Sequence, residues 1–139
     1  MSTDGKADYR ALFTEMVRKP DEDIELDRAA LYLAGEEYPA IDVPSLLAEL
    51  DAFASQIAFR IDPGVVTTDL AGSIAGYLFS DVGFHGNTGE YYSPDNSFLN
   101  RVLETRTGIP ITLSLLFMEV GRRLGLKCSG VGLPGHFIV

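Results

Sequence analysis

Two histidines, one cysteine and a few hydroxyls and carboxylates are the side chains with which this chain could do chemistry. Cysteine catalysis needs a sulfur beside a base, best at the positive end of a helix, where the thiolate is stabilised. Cys128 is the one thiol and lacks that setting. It follows Gly125 by three residues, in an expected strand, with Lys127 alternating to the other face. An inert, small core residue is expected there. Thr112 and Ser114 lie in the first turns of a helix that begins at Pro110. Either hydroxyl would need His136 as its base, and capping or bonding back to the helix is the simpler use of both.

His85 stands in Ser80-Asp81-Val82-Gly83-Phe84-His85-Gly86-Asn87-Thr88-Gly89, with three glycines around it. It could join His136 as a metal ligand or an acid–base pair. Two histidines and scattered carboxylates have no ligand spacing, so no metal and no cofactor are expected. Residues 80–97 show no periodicity, and a loop of that length in a small chain is often functional. His85, Asn87, Tyr92, Asn96 and Glu104 are the candidate lining of a polar binding pocket roofed by it. The competing use of Glu104 is a pair with Arg101 or Arg106, or a bridge to Arg123 that ties the fifth helix to the sixth.

The elements that must position these residues are mostly helices. A first fits Asp8 to Arg18, with Leu12, Phe13, Met16 and Val17 on one side. Pro20-Asp21-Glu22-Asp23 reads as the start of a second, which stops before Pro39. Asp42 caps a third, with Pro44 in its first turn and an apolar stripe from Leu46 to Ile57; Pro63-Gly64 ends it. A fourth fits Thr67 to Phe79. A fifth is capped by Asp95, Asn96 or Ser97, buries Phe98, Leu99, Val102 and Leu103, and stops at Thr107-Gly108. The sixth, Pro110 to Leu124, is apolar nearly all round and is expected to be the most buried, with Gly125 closing it. Leu126 to Leu133 reads as a strand, and His136 to Val139 as another after Pro134-Gly135. The expected class is α+β, about six helices and a short antiparallel sheet.

The chain has 139 residues, 46% hydrophobic and 22% charged, which suits one domain and one core. Residues 1–80 form its helical part and 81–139 its second part. No apolar run is long enough for a bilayer, and no signal peptide is visible. A lone cysteine suits a reducing cytoplasm. The net charge is −9 and unevenly placed. Residues 1–90 carry 17 Asp and Glu against 6 Lys and Arg, and residues 91–139 carry 3 against 5. Nucleic acid would be repelled by the acidic part, so neither nucleic acid nor membrane is expected as a partner, whereas a basic protein is compatible.

Several blocks in order carry a resemblance. They are Gly83-Phe84-His85-Gly86-Asn87, Tyr91-Tyr92, Asn96-Ser97-Phe98-Leu99, Val102-Leu103-Glu104, Gly108-Ile109-Pro110-Ile111-Thr112-Leu113-Ser114, Arg123-Leu124-Gly125-Leu126 and Pro134-Gly135-His136-Phe137. From about residue 75 to 139 the chain resembles the SirB1 family, a branch of the transglutaminase-like superfamily. The resemblance implies a partial transglutaminase-like, or papain-like, core, often followed by a helical-repeat region. In that superfamily Gly-x-Cys opens the central helix, a strand-borne histidine is the base, and a third residue orients it. Gly108-Ile109-Pro110 takes the place of Gly-x-Cys, so Pro110 stands in the nucleophile position. His136 matches the histidine, and the third residue would lie beyond Val139.

Two readings follow. One is a non-catalytic transglutaminase-like domain that binds a protein or peptide, with His136 as a remnant. The other is a hydrolase or transferase with a non-cysteine centre around His136, His85 and Glu104. The short second strand also leaves a sheet edge open to self-association or to a partner strand.

Overall fold

The computed structural model describes residues 8–62, 64–86, 93–126, 131–133 and 136–138, the last two stretches as backbone. Six α-helices occur among them: α1 Tyr9–Val17, α2 Leu26–Glu37, α3 Val43–Arg60, α4 Thr67–Gly76, α5 Leu99–Thr105 and α6 Pro110–Arg123. Strand β1, His85–Gly86, pairs in parallel with β2, Thr107–Gly108. Strand β3, Val131–Leu133, pairs antiparallel with β4, His136–Ile138. The class is α+β and mainly helical, as the periodicity implies. The expected antiparallel pairing is present as β3 and β4, over three residues of each strand among the described residues, and the parallel β1–β2 pair is an addition to it. Two-residue strands have no period to read.

Side-chain caps open α1 and α3. The Asp8 carboxylate accepts from the Ala11 N–H at 3.1 Å and opens α1. Asp42 does the same for α3, accepting from the Ser45 N–H at 3.1 Å and the Ser45 hydroxyl at 2.8 Å. Two starts differ from expectation. Pro20 opens only a 3₁₀ turn, Asp21–Asp23; Ile24 is extended, and α2 begins at Leu26. That break sets the phase of α2, and Asp27 comes to lie inside. Asp95, Asn96 and Ser97 do not cap α5. They form a second 3₁₀ turn, Pro94–Ser97, and the N-cap position is Phe98.

The helix ends matter more for the site. After Gly76 the chain winds into a wider π turn, Tyr77–Asp81, closed by Val82 N–H bonding to the Tyr77 carbonyl at 2.8 Å. Gly83, at φ +92°, then turns the chain and delivers Phe84 into the core, edge-on to Phe53 at 5.9 Å. Helix α5 ends on Arg106, not on a glycine, with Arg106 left-handed at φ 60°. That conformation disfavours a residue with a Cβ by about 1–2 kcal/mol. The Arg106 guanidinium lies 5.4 Å from the Phe53 ring centre and 5.0 Å from that of Phe84, and 3.2 Å from Glu49. These contacts offset the strain. Thr107-Gly108 continues as β2 instead of forming the stop.

One hydrophobic cluster runs through α2 to α6, from Leu31 through Leu50, Ile57, Ile74 and Phe84 to Leu103, Leu116 and Val120. Helix α6 packs against α2, α3, α4 and α5 and against β1 and β4, so it is central. It is not apolar all round: Ile111 is 49% exposed, and Thr112 and Glu119 are among its buried residues. Its first turn reaches the surface, and its buried acid has arginine partners.

Helix α1 docks through one close approach. A Cβ on Gly35 would meet the Tyr9 ring at 2.4 Å. Alanine in mid-helix is otherwise worth about 1 kcal/mol over glycine. Gly35→Ala is nonetheless expected to lower the urea midpoint, and Tyr9→Ala in the same chain is expected to restore part of it. Leu116→Ala, wholly inside the cluster, is expected to lose about 2–5 kcal/mol in the same measurement.

Candidate functional site

The site predicted from sequence centres on the N-terminus of α6. Gly108 leads into it without room for a side chain. A Cβ there would stand 2.7 Å from the Thr112 hydroxyl oxygen and 3.2 Å from Val102. Pro110 at the first position needs no partner for an N–H. Thr112 is 5% exposed, and its hydroxyl is engaged on both sides. It accepts from the Ile109 N–H at 3.1 Å and lies 2.8 Å from the Asn96 carbonyl, to which it donates. The hydroxyl thus caps α6 from within and fastens the Pro94–Ser97 turn to it. Removing it would leave the Ile109 N–H without this acceptor, a loss of about 1–3 kcal/mol. Thr112→Val is expected to lose that much in denaturant unfolding, and Thr112→Ser much less.

The other predicted residues fall in different places. Pro110 is exposed, Ser114 is half-buried, and Asn96 is buried in its 3₁₀ turn. His85 is exposed on β1, where register sets it opposite Thr107, and its Nδ1 lies 2.8 Å from the Gly86 carbonyl. A carbonyl only accepts, so Nδ1 carries the proton. Glu104 is mostly exposed and pairs with Arg101 at 2.7 Å. Asn87, Tyr92 and Cys128, and the His136 side chain, lie outside the described residues. Among the described residues no group of three His, Cys, Asp or Glu is placed to hold a metal ion.

The expected ionic tie from helix five to helix six is replaced by two others. Arg106 crosses to Glu49 on α3, as above. Arg123, at the end of α6, binds Asp27 of α2 at 2.6 Å and Asp51 of α3 at 2.6 Å, and its Nη1 lies 3.0 Å from the Glu119 carbonyl. Arg122 adds contacts of 3.0 Å to Glu119 and 3.4 Å to Asp27. Both Asp27 and Glu119 are buried. Sequence spacing predicts Arg101–Glu104 but does not reveal which acids Arg123 meets across helices.

Burial pushes the Glu119 carboxyl above its ordinary value; the Arg122 hydrogen bond opposes this, and repulsion from Asp27 reinforces it. Between the ordinary value of about 4.3 and the raised one, the folded protein holds more protons than the unfolded chain. Stability from this group is therefore full below that window and is lost as pH rises through it. The margin of the wild type over Glu119→Gln is expected to shrink from acid toward neutral pH in urea unfolding. A constant margin would contradict the assignment.

A groove of about 570 Å³ lies elsewhere. It runs between the α2–α3 connection, the N-terminal half of α3, and α5. Glu104 and Arg106 line it, together with Glu49, Asn100 and Leu103. No described residue of 80–97 lines it, and residues 87–92 of the predicted roof lie outside the described residues. Beside it the Tyr38 hydroxyl donates to Asp95, and this bond holds the phenol above its ordinary value. Glu49 and Asn100 were not anticipated; an asparagine on the helix face it shares with Leu103 and Glu104 was the available signal.

Comparison with known proteins shows the family. The family model described as transglutaminase-like superfamily matches residues 44–139. A UPF0162 protein of Xylella fastidiosa is 35% identical over 128 residues, 92% of this chain and 46% of the relative. A UPF0162 protein of Pseudomonas aeruginosa is 33% identical over 114 residues, 82% of this chain and 42% of the relative. The F-box only protein 21 of Mus musculus is 42% identical over 62 residues, 45% of this chain and 10% of the relative. The chain thus spans about half the length, or less, of the curated relatives it matches. No solved structure matches it. The similarity reaches further toward the N-terminus than the blocks that carried the resemblance in sequence.

Proposed function

The chain belongs to the transglutaminase-like superfamily, and from that premise we propose that it is a non-catalytic member that binds a protein or peptide. The observation that carries this reading is the first turn of α6. Where the superfamily's cysteine would stand, the helix opens with Pro110 and the exposed Ile111. Proline has no nucleophilic atom. The nearest buried hydroxyl, that of Thr112, is held by the Ile109 N–H and the Asn96 carbonyl. A hydroxyl that donates to a backbone carbonyl is not poised to give its proton to a base.

The fold keeps the superfamily's central helix with the backbone of β4 against it. It would serve as a scaffold whose loops and grooves recognise a partner, and His136 would then be a remnant. Among the described residues no helix is long and apolar enough to cross a membrane. A basic protein segment suits the charge of −9 better than nucleic acid does. The alternative hydrolase or transferase centre draws no support from the described contacts. His85 bonds to its own neighbour's carbonyl, and Glu104 pairs with Arg101.

The test is catalytic. The purified protein is offered a fluorescent primary amine with a glutamine-containing acceptor protein and, separately, a quenched peptide substrate. No amine incorporation and no hydrolysis above the buffer rate are expected, and His136→Ala is expected to behave the same. Turnover in the parent that disappears in His136→Ala would overturn the reading and establish a non-cysteine enzyme.

A further inference from the structure

Resting on that binding reading, we infer that the groove between the α2–α3 connection and α5 receives an arginine or lysine side chain from a partner's peptide segment. The first support is the shape and chemistry of its wall. About 570 Å³ of space is lined by the apolar Ile41, Leu46 and Leu103 and by the carboxylates of Asp42, Glu49 and Glu104. An aliphatic stem with a cationic head suits that combination, because the stem covers apolar surface while the charge meets the acids. Among the described lining residues Arg106 is the one cation, held by Glu49 and by the Phe53 and Phe84 rings, and Arg101 pairs with Glu104 from beside the wall, so three carboxylates face two cations. The lining therefore keeps a net negative charge.

The second support is independent of charge. The Asn100 side-chain oxygen is buried and has no hydrogen-bond partner among the described residues. Asn100 belongs to the groove lining and sits one helical turn before Glu104, on the same face of α5. A buried acceptor without a donor calls for one. Guanidinium and ammonium groups consist of donors alone, whereas a carboxylate or phosphate would set lone pair against lone pair. The third support is the charge of −9, which steers a basic segment toward the protein before contact.

The probe is a fluorescein-labelled decapeptide of alternating leucine and arginine, with glutamate replacing arginine in its counterpart. Binding is read by fluorescence anisotropy at physiological salt. Glu104→Gln alters a side chain that is 66% exposed, so the fold should tolerate it. Asn100→Leu fills the same space without the acceptor, and its folding is checked by circular dichroism. Glu22→Gln is the control carboxylate; the 12 residues of α2 lie between it and the groove, about 18 Å of helix. The arginine peptide is expected to bind and the glutamate peptide not to. Glu104→Gln and Asn100→Leu should each weaken binding roughly 10-fold, as loss of a charge-assisted contact does, and Glu22→Gln should leave it unchanged. An equal loss in Glu22→Gln, undiminished binding in both groove variants, or no binding of the arginine peptide would overturn the groove. Binding undiminished in the groove variants would still leave the domain a peptide binder, and catalytic turnover would remove that reading instead.

Discussion

Three helices of this protein meet at Arg123. Its guanidinium takes Asp27 from α2 and Asp51 from α3, while its own helix supplies the Glu119 carbonyl. Asp27 is almost completely buried, and a carboxylate there would be very unfavourable without a cation against it. The arrangement is therefore a constraint more than a source of net stability. Burying such charges roughly cancels their attraction, but removing one partner leaves the other stranded, at a loss of about 3–5 kcal/mol. The helix packing compatible with the sequence is the one that brings these groups together. Burial pulls the Arg123 charge down, and the bonds to Asp51 and Asp27 more than compensate, so its guanidinium stays firmly charged.

There is a second junction at the other end of this helix. The N-terminal end of α6 lies near α5 and the Pro94–Ser97 turn. Gly108 permits the approach, since any side chain there would collide with Thr112. Thr112 then joins the turn to the helix through the Asn96 carbonyl. This end of α6 is used for fastening. The polar atoms are satisfied internally, and what reaches the surface is Pro110 and Ile111.

Arg106 shows how a local irregularity shapes the surface. Its left-handed backbone is tolerated because the side chain lies between two aromatic rings and a carboxylate. That posture ends α5 sharply and lets Thr107-Gly108 pair with His85-Gly86. It also sets one wall of the groove that Glu49, Asn100 and Glu104 share. The π turn after α4 contributes from the other side by placing Phe84 under Arg106.

The amino-acid sequence by itself determined what depends on neighbours a few residues apart. The stripe from Leu46 to Ile57, the Asp42 cap, Pro110 at the start of α6 and the Arg101–Glu104 pair all follow from helical spacing, and so does the mainly helical class. The two-residue strands, the 3₁₀ turn where a helix was expected at Pro20, and the left-handed Arg106 were not legible. The parallel strand pair and the left-handed Arg106 are held by contacts with distant segments that override local preference. The candidate site divided the same way. His85, Asn96, Thr112 and Glu104 stood out by type, yet only the tertiary structure separated Glu104, which lines the groove, from Thr112 and Asn96, which fasten α6. It also added Glu49 and Asn100, residues 51 positions apart that no local rule connects. Spacing along one helix is fixed by its 3.6-residue period, whereas which helix faces which is chosen by packing and by where buried charges find their partners.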